Sequence, residues 1–225
     1  MLPIKDHTPS GKIPILNFLL LGINIAVFFF MFGMSEPGLE MFVNQYALIP
    51  NLVVNGQNLY TLVTSMFLHG SLGHLFGNML FLYIFGDNLE DRLGSIKYLF
   101  FYILVGLGAT ALQIFLNPAS GIPNLGASGA IAGIMGGYLV LFPRHGIDVL
   151  VFFGFVVRII TVPAYTMLLY WFLFQFLAGL GTIGIAETGG IAYGAHVGGF
   201  VTGVVLLLLL RGAGGVRRAS IEMSG

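Results

Sequence analysis

No cysteine occurs in the 225 residues, so disulfides, a thiol nucleophile and thiolate metal sites are excluded from the outset. Charge is almost as scarce. Lys, Arg, Asp and Glu make up 8% of the chain, against roughly 25% in soluble domains. The charges cancel to a formal net of zero, and a neutral chain argues against nucleic acid as a partner. What is present is apolar: 57% of the residues are hydrophobic, with 33 Gly and 21 Phe. This composition points to lipid and leaves no room for a sizeable soluble domain.

A helix needs about 20 apolar residues to cross the hydrocarbon core. Six segments are expected as spans: Pro14–Gly33, Met66–Phe85, Ile96–Leu116, Ala127–Phe142, Val162–Leu180 and Ala192–Leu210. The expected fold is therefore an all-α, polytopic bundle of six spans over residues 14–210, with short tails at 1–13 and 211–225. The first apolar run follows Lys5 and Lys12, as in a signal peptide. No small-residue cleavage site follows Phe30-Met31-Phe32, so it reads as the first span. The longest connection, Met34–Ser65, holds Phe42, Tyr46, Leu48 and Ile49, then Pro50 and an Asn55-Gly56 turn signal. It reads as a structured loop at the membrane interface.

Cations orient the bundle. With the N-terminus in the cytoplasm, Lys5, Lys12, Arg92, Arg144, Arg158, Arg211, Arg217 and Arg218 fall on the inner side, and Lys97 at the inner end of span three. The outer loops hold only Glu36, Glu40 and Glu187. This asymmetry matches the positive-inside rule and would be lost with one miscounted span.

Ionisable groups within spans are costly and usually functional. No Asp or Glu lies in the apolar part of any span, which removes intramembrane aspartyl chemistry. His69, His74 and Asn78 lie in span two, Ser128 heads span four and His196 lies early in span six. These three spans run from outside to inside, so the residues share one depth in the outer half of the bilayer. His74 and Asn78, four apart, occupy one helical face. Small residues recur at the same spacing in span four (Gly129, Gly133, Gly137; Ser128, Ala132, Gly136) and in span six (Ala195, Gly199, Gly203). Such ridges let helix backbones approach closely in lipid, bringing Ser128 near His196.

Each residue also has a plainer reading. Ser128 suits a helix cap, His196 an interhelical hydrogen bond, and His74 and Asn78 a pair of structural contacts. His69 reads as structural support for the first loop or a water path. Three histidines suggest zinc, yet the His-Glu-x-x-His pattern is absent and no carboxylate is at hand to activate a bound water, so no metal is expected. A neutral imidazole, in contrast, can take a proton from a serine hydroxyl. Glu187 is a remote candidate for orienting that imidazole, so a dyad is expected rather than a triad. His74 and Asn78 supply donors for an oxyanion.

Taken together, His69-x4-His74-x3-Asn78, Gly126-x-Ser128-Gly129, Ala195-His196-x-x-Gly199 and Glu90-x-Arg92-x-Gly94 resemble the rhomboid family of intramembrane serine proteases, over roughly Pro14 to Leu210. The resemblance implies a six-helix bundle with a water-filled cavity open to the outer face and no cofactor. It implies a Ser128–His196 dyad, with an oxyanion held by Asn78, His74 and the Ser128 backbone N–H. Gly126, Gly129 and Gly199 belong to the motifs around the site, and the Glu90 motif has a structural role. The implied reaction is peptide-bond hydrolysis in a transmembrane segment of a membrane-protein substrate, through an acyl-enzyme. Substrate entry in the family involves span five, here bulky with Trp171, Phe172, Phe174 and Phe176, and carrying Gln175.

Two positions depart from the family pattern. Ala132 stands where an aromatic commonly packs against the catalytic histidine, and Tyr60-Thr61 stand where a Trp-Arg pair commonly anchors the first loop. A small transporter or a non-catalytic membrane chaperone remain the rival functions, although no internal symmetry of the transporter kind is visible. By analogy, the expected location is a prokaryotic plasma membrane with both termini cytoplasmic. The sequence does not reveal an oligomeric state.

Overall fold

The computed structural model describes residues 2–7, 10–154, 156–182 and 191–216. Proline and glycine punctuate it. Helix α1 (Ile15–Phe32) begins directly after Pro14, and α2 (Glu36–Tyr46) and α3 (Pro50–Val54) carry proline in their first turns, where the missing N–H has no helical partner to lose. A short α4 (Thr61–Thr64) runs into a 3-10 turn at Ser65–Phe67. The Met34–Ser65 connection is thus structured, as three short helices. Helix α5 (Leu72–Leu93) starts at Ser71, whose hydroxyl accepts from the His74 N–H at 3.2 Å. It ends at Gly94, where φ of +80° turns the chain into α6 (Ser95–Leu116). Then follow α7 (Ser128–Leu141), α8 (Ala164–Thr182) and α9 (Tyr193–Gly212).

Among the described residues, four helices are long and apolar enough to cross a membrane: α1, α6, α8 and α9. This is an integral membrane protein. The other two expected spans fall on α5 and α7. Helix α7 is apolar but only 14 residues long. Helix α5 begins six residues later than expected at Met66 and runs on past Phe85 into charged Asp87, Glu90, Asp91 and Arg92. The serine cap at Ser71 sets the first boundary, and Gly94 the second.

The all-α expectation needs correction. Three strands, β1 (Leu2–Asp6), β2 (Gly146–Phe153) and β3 (Val156–Pro163), form an antiparallel sheet in the order β1-β2-β3. The segment 143–161 was expected as a cytoplasmic connection, with span five starting at Val162. Its β-branched residues instead favour a pleated ribbon, turned near Gly154 at φ +61°. Ile147 and Val149 are fully buried on the bundle side. Span five accordingly begins only after Pro163, and the 1–13 tail contributes β1. Asp6 fastens that strand to the helices: its Oδ2 accepts from Asn88 Nδ2 at 2.6 Å and from the Tyr138 hydroxyl at 3.0 Å. Burial raises the Asp6 carboxyl above the usual carboxylate range, against the pull of those two donors. On the exposed face Asp148 accepts from Thr161 and pairs with His7, at 2.6 and 2.8 Å, and these contacts lower its pKa.

At the same end, Glu90 ties three helices. Its carboxylate accepts from the backbone N–H groups of Leu16 and Asn17 at the start of α1, at 3.1 and 2.7 Å, and from the Ser95 hydroxyl at 2.6 Å. A negative charge there also suits the helix dipole. Asn17, fully buried, donates to the Leu82 carbonyl and accepts from Tyr98. Gly86 makes room, since a Cβ there would run into the Asn17 side chain. Arg92 lies 5.6 Å over the Phe142 ring. The Glu90-x-Arg92-x-Gly94 motif is therefore a clamp at one end of the bundle. Glu90→Ala would strand the buried Asn17 N–H, at about 1–3 kcal/mol, and the part-buried Leu16 N–H beside it. A clear drop in the thermal midpoint of the detergent-solubilised protein is the expected outcome, measured by intrinsic fluorescence.

Candidate active site

Helices α7 and α9 touch backbone to backbone. A Cβ on Gly199 would run into the Gly129 carbonyl, one on Gly203 into the Gly133 carbonyl, and one on Gly136 into the Phe200 carbonyl. The two small-residue ridges seen in the sequence are the contact surfaces. Larger side chains would hold these helices apart, whereas glycine lets the first turns of both lie side by side. On the other flank, Gly198 of α9 packs on Leu112 and Ala109 of α6. Gln113 of α6 sets the height of α9 by accepting from the Ala195 N–H at 3.2 Å.

The closeness of these backbones brings Ser128 and His196 together. The Ser128 hydroxyl lies 2.8 Å from His196 Nε2, with both residues half-buried. The other ring nitrogen, Nδ1, lies 2.7 Å from Oε1 of Gln175 on α8. Trp171, one turn earlier on α8, covers the ring with centroids 5.7 Å apart and planes at 37°. Trp171 fills the role that Ala132 leaves open, and it also meets Phe200 at 6.3 Å. Ala132 itself is fully buried.

The α5 residues close the third side. Gly126 adopts φ +127°, a conformation that favours glycine. A Cβ on it would lie 2.7 Å from His74 Nε2 and 3.7 Å from Asn78 Nδ2. The His74 ring and the Asn78 amide thus converge on the turn that presents Ser128. Asn78 is buried, and its Nδ2 has no acceptor among the described residues. His69, just before α5, is also buried, its ring edge-on to His74 at 5.0 Å. The turn is pinned from below by the Gly126 N–H, which donates to the Ser65 carbonyl at 2.9 Å.

Tyr60 takes over part of the anchoring that a Trp-Arg pair would supply. Its hydroxyl donates to the Gln45 carbonyl at 3.0 Å and its ring packs on Tyr46 at 6.2 Å. Thr64 adds a hydrogen bond to the Tyr46 carbonyl at 2.8 Å. Glu187, the remote candidate for orienting the imidazole, lies outside the described residues, as do Arg217 and Arg218. In the sequence Gln175 and Trp171 stand out only as members of span five, and Gln113 does not stand out at all. The one available signal was that Gln175 is the only amide in a 19-residue apolar helix.

Residues 56–213 match the Rhomboid domain family. The chain belongs to the rhomboid family. It is 30% identical over 196 residues to Rhomboid protein 1, mitochondrial, of Saccharomyces cerevisiae, covering 84% of this chain and 51% of that protein. It is 33% identical over 157 residues to Rhomboid-like protein 11, chloroplastic, of Arabidopsis thaliana, covering 67% and 52% respectively. Against Rhomboid protease GluP of Bacillus subtilis the identity is 30% over 131 residues, 58% of this chain and 25% of the relative. This rhomboid spans about half the length, or less, of these curated relatives. Two of the three are named for organelles, so the relatives do not support the expectation of a prokaryotic plasma membrane.

The glycine contacts carry a test. Gly199→Val forces a side chain into the Gly129 carbonyl, and overpacking of this kind costs about 1–3 kcal/mol or more. Gly77→Ala, in the interior of α5 with open space around its Cβ position, is the control. The first should melt well below the wild type in detergent, and the second at or slightly above it.

Proposed function

We propose that this rhomboid is an intramembrane serine endopeptidase whose nucleophile is Ser128 and whose base is His196. The observation that carries the reading is the 2.8 Å contact between the Ser128 hydroxyl and His196 Nε2. A serine hydroxyl is a weak nucleophile until a neighbouring base takes its proton. In this reading His196 accepts that proton as Ser128 Oγ attacks the carbonyl carbon of a peptide bond. It then returns the proton to the leaving amine, giving an acyl-enzyme. A water activated by the same imidazole hydrolyses the ester and frees the serine.

The tetrahedral intermediate carries an oxyanion that needs donors. Asn78 Nδ2, the His74 ring and the Ser128 backbone N–H at the start of α7 surround the Gly126 turn and serve that purpose. The unpaired state of Asn78 Nδ2 supports the assignment, because a buried amide donor without an acceptor is costly unless a reacting oxygen uses it. His69 and the glycines at 126, 129 and 199 act as structural support.

The substrate in this reading is a membrane protein, cut in or near a transmembrane segment. Residues 14–210 form the catalytic unit, with α5 and α7 completing a six-span bundle and the termini in the cytoplasm. The distribution of charge supports this orientation. Lys97 donates to the Gly215 carbonyl, Arg211 to the Val140 carbonyl, and Gly11 to Asp91, all at the sheet-bearing end. The dyad lies at the opposite end, where α5, α7 and α9 begin, and so faces the outer leaflet.

The test uses the purified protein in detergent with a fluorophosphonate probe and single-span substrates, the cut being mapped by mass spectrometry. Labelling at Ser128 and cleavage are expected, and both should vanish in Ser128→Ala. Asn78→Ala should lower kcat by about 100- to 1,000-fold with the probe still reaching Ser128. A wild-type protein that neither labels nor cleaves would exclude the reading in favour of a transporter or scaffold.

A further inference from the structure

Resting on the protease reading, we infer that Gln175 is a positioning residue for the base: through α8 it fixes which nitrogen of His196 carries the proton. An amide oxygen accepts hydrogen bonds and cannot donate them. With Gln175 Oε1 at 2.7 Å, Nδ1 must be the protonated nitrogen of a neutral imidazole. That leaves the lone pair on Nε2, 2.8 Å from the Ser128 hydroxyl. The reverse amide orientation would aim an N–H at Nδ1, drive the proton to Nε2 and leave Ser128 without an acceptor.

Three further features support this assignment. Gln175 is only 7% exposed and is the lone amide of α8, and an amide buried in a membrane helix is expensive without a partner. Trp171 lies four residues earlier, on the same helical face, and covers the imidazole whose edge Gln175 holds. Both ring nitrogens are engaged, so an amide stands where a soluble serine protease places a carboxylate. A neutral amide orients the ring without adding charge to the apolar interior of the bundle, where an ionised group would be costly. Helix α8 is also the least buried of the four long apolar helices. The geometry of the base therefore depends on how α8 sits against α9.

Gln175→Met keeps the length of the side chain and removes the acceptor. Its kcat should fall roughly 10- to 100-fold, the range for a displaced reacting group or a lost orienting partner, with KM unchanged. Gln175→Glu restores an acceptor at the same reach and should recover most of the lost rate. The second readout is the ring 15N spectrum of the wild type, with His196 assigned by difference against His196→Ala. It should show Nδ1 protonated and Nε2 bare, and Gln175→Met should lose that fixed tautomer. A wild-type ring protonated at Nε2 would overturn the inference, and so would a Gln175→Met enzyme with wild-type kcat. A Glu variant as slow as the Met variant would reduce Gln175 to packing and likewise count against it. If the wild type neither cleaves nor labels yet shows the Nδ1–H tautomer, the protease reading fails while the positioning of His196 by Gln175 stands.

Discussion

The contact between the α7 and α9 backbones is the constraint on which the rest depends. Helices with ordinary side chains pack with axes about 8–10 Å apart, and at that separation the short arm of a serine and an imidazole from a neighbouring helix meet only if both point along the line of contact. Here Gly199 and Gly203 rest on the carbonyls of Gly129 and Gly133, so residues adjacent to the seam face each other at close range. Ser128 precedes Gly129, and His196 comes three residues before Gly199. The same glycines that permit the contact therefore fix the register in which the two side chains meet. In lipid there is little hydrophobic drive to press helices together, so this packing has to come from shape.

Much of this arrangement was legible because it depends on spacing within single helices. Small residues four apart mark a ridge, His74 and Asn78 four apart mark a face, and cations on alternate connections mark the sides of the membrane. The sheet was less visible. Residues 146–163 are largely apolar, and hydropathy alone does not separate a strand ribbon from a helix. Their β-branched content and Gly154 were the available clues. Strand β1 was less legible still, since its pairing with β2 joins segments some 145 residues apart, and nothing local in Leu2–Asp6 announces a partner.

The roles of the amides are hidden in the sequence for a related reason. Gln113 and Gln175 act across helix interfaces, one on the Ala195 N–H and the other on the His196 ring. Each is a single polar residue in an apolar run, and its function depends on a partner 82 or 21 residues away in the chain. Periodicity does not register such a pair. Ala132 was legible as a gap in the family pattern, yet what fills the gap comes from α8, a different helix from the one carrying the gap.

Polar groups occur at both ends of the bundle, and they are used differently. At the sheet-bearing end the Glu90 carboxylate is engaged by three donors from α1 and α6, and Asp6 by two from α5 and α7. These bonds join separate elements and hold them in place, although Asn88 Oδ1 and Arg92 Nε beside them have no partner among the described residues. At the other end Asn78 keeps a buried Nδ2 without an acceptor among the described residues, beside a glycine at φ +127° in the turn before Ser128. An unpaired donor and a backbone conformation that favours glycine both cost stability. An unpaired donor also occurs at the clamp, in Arg92 Nε, so it is the coincidence of the Asn78 donor with the Gly126 turn beside the serine–histidine contact that supports the proposed site for a reacting oxygen.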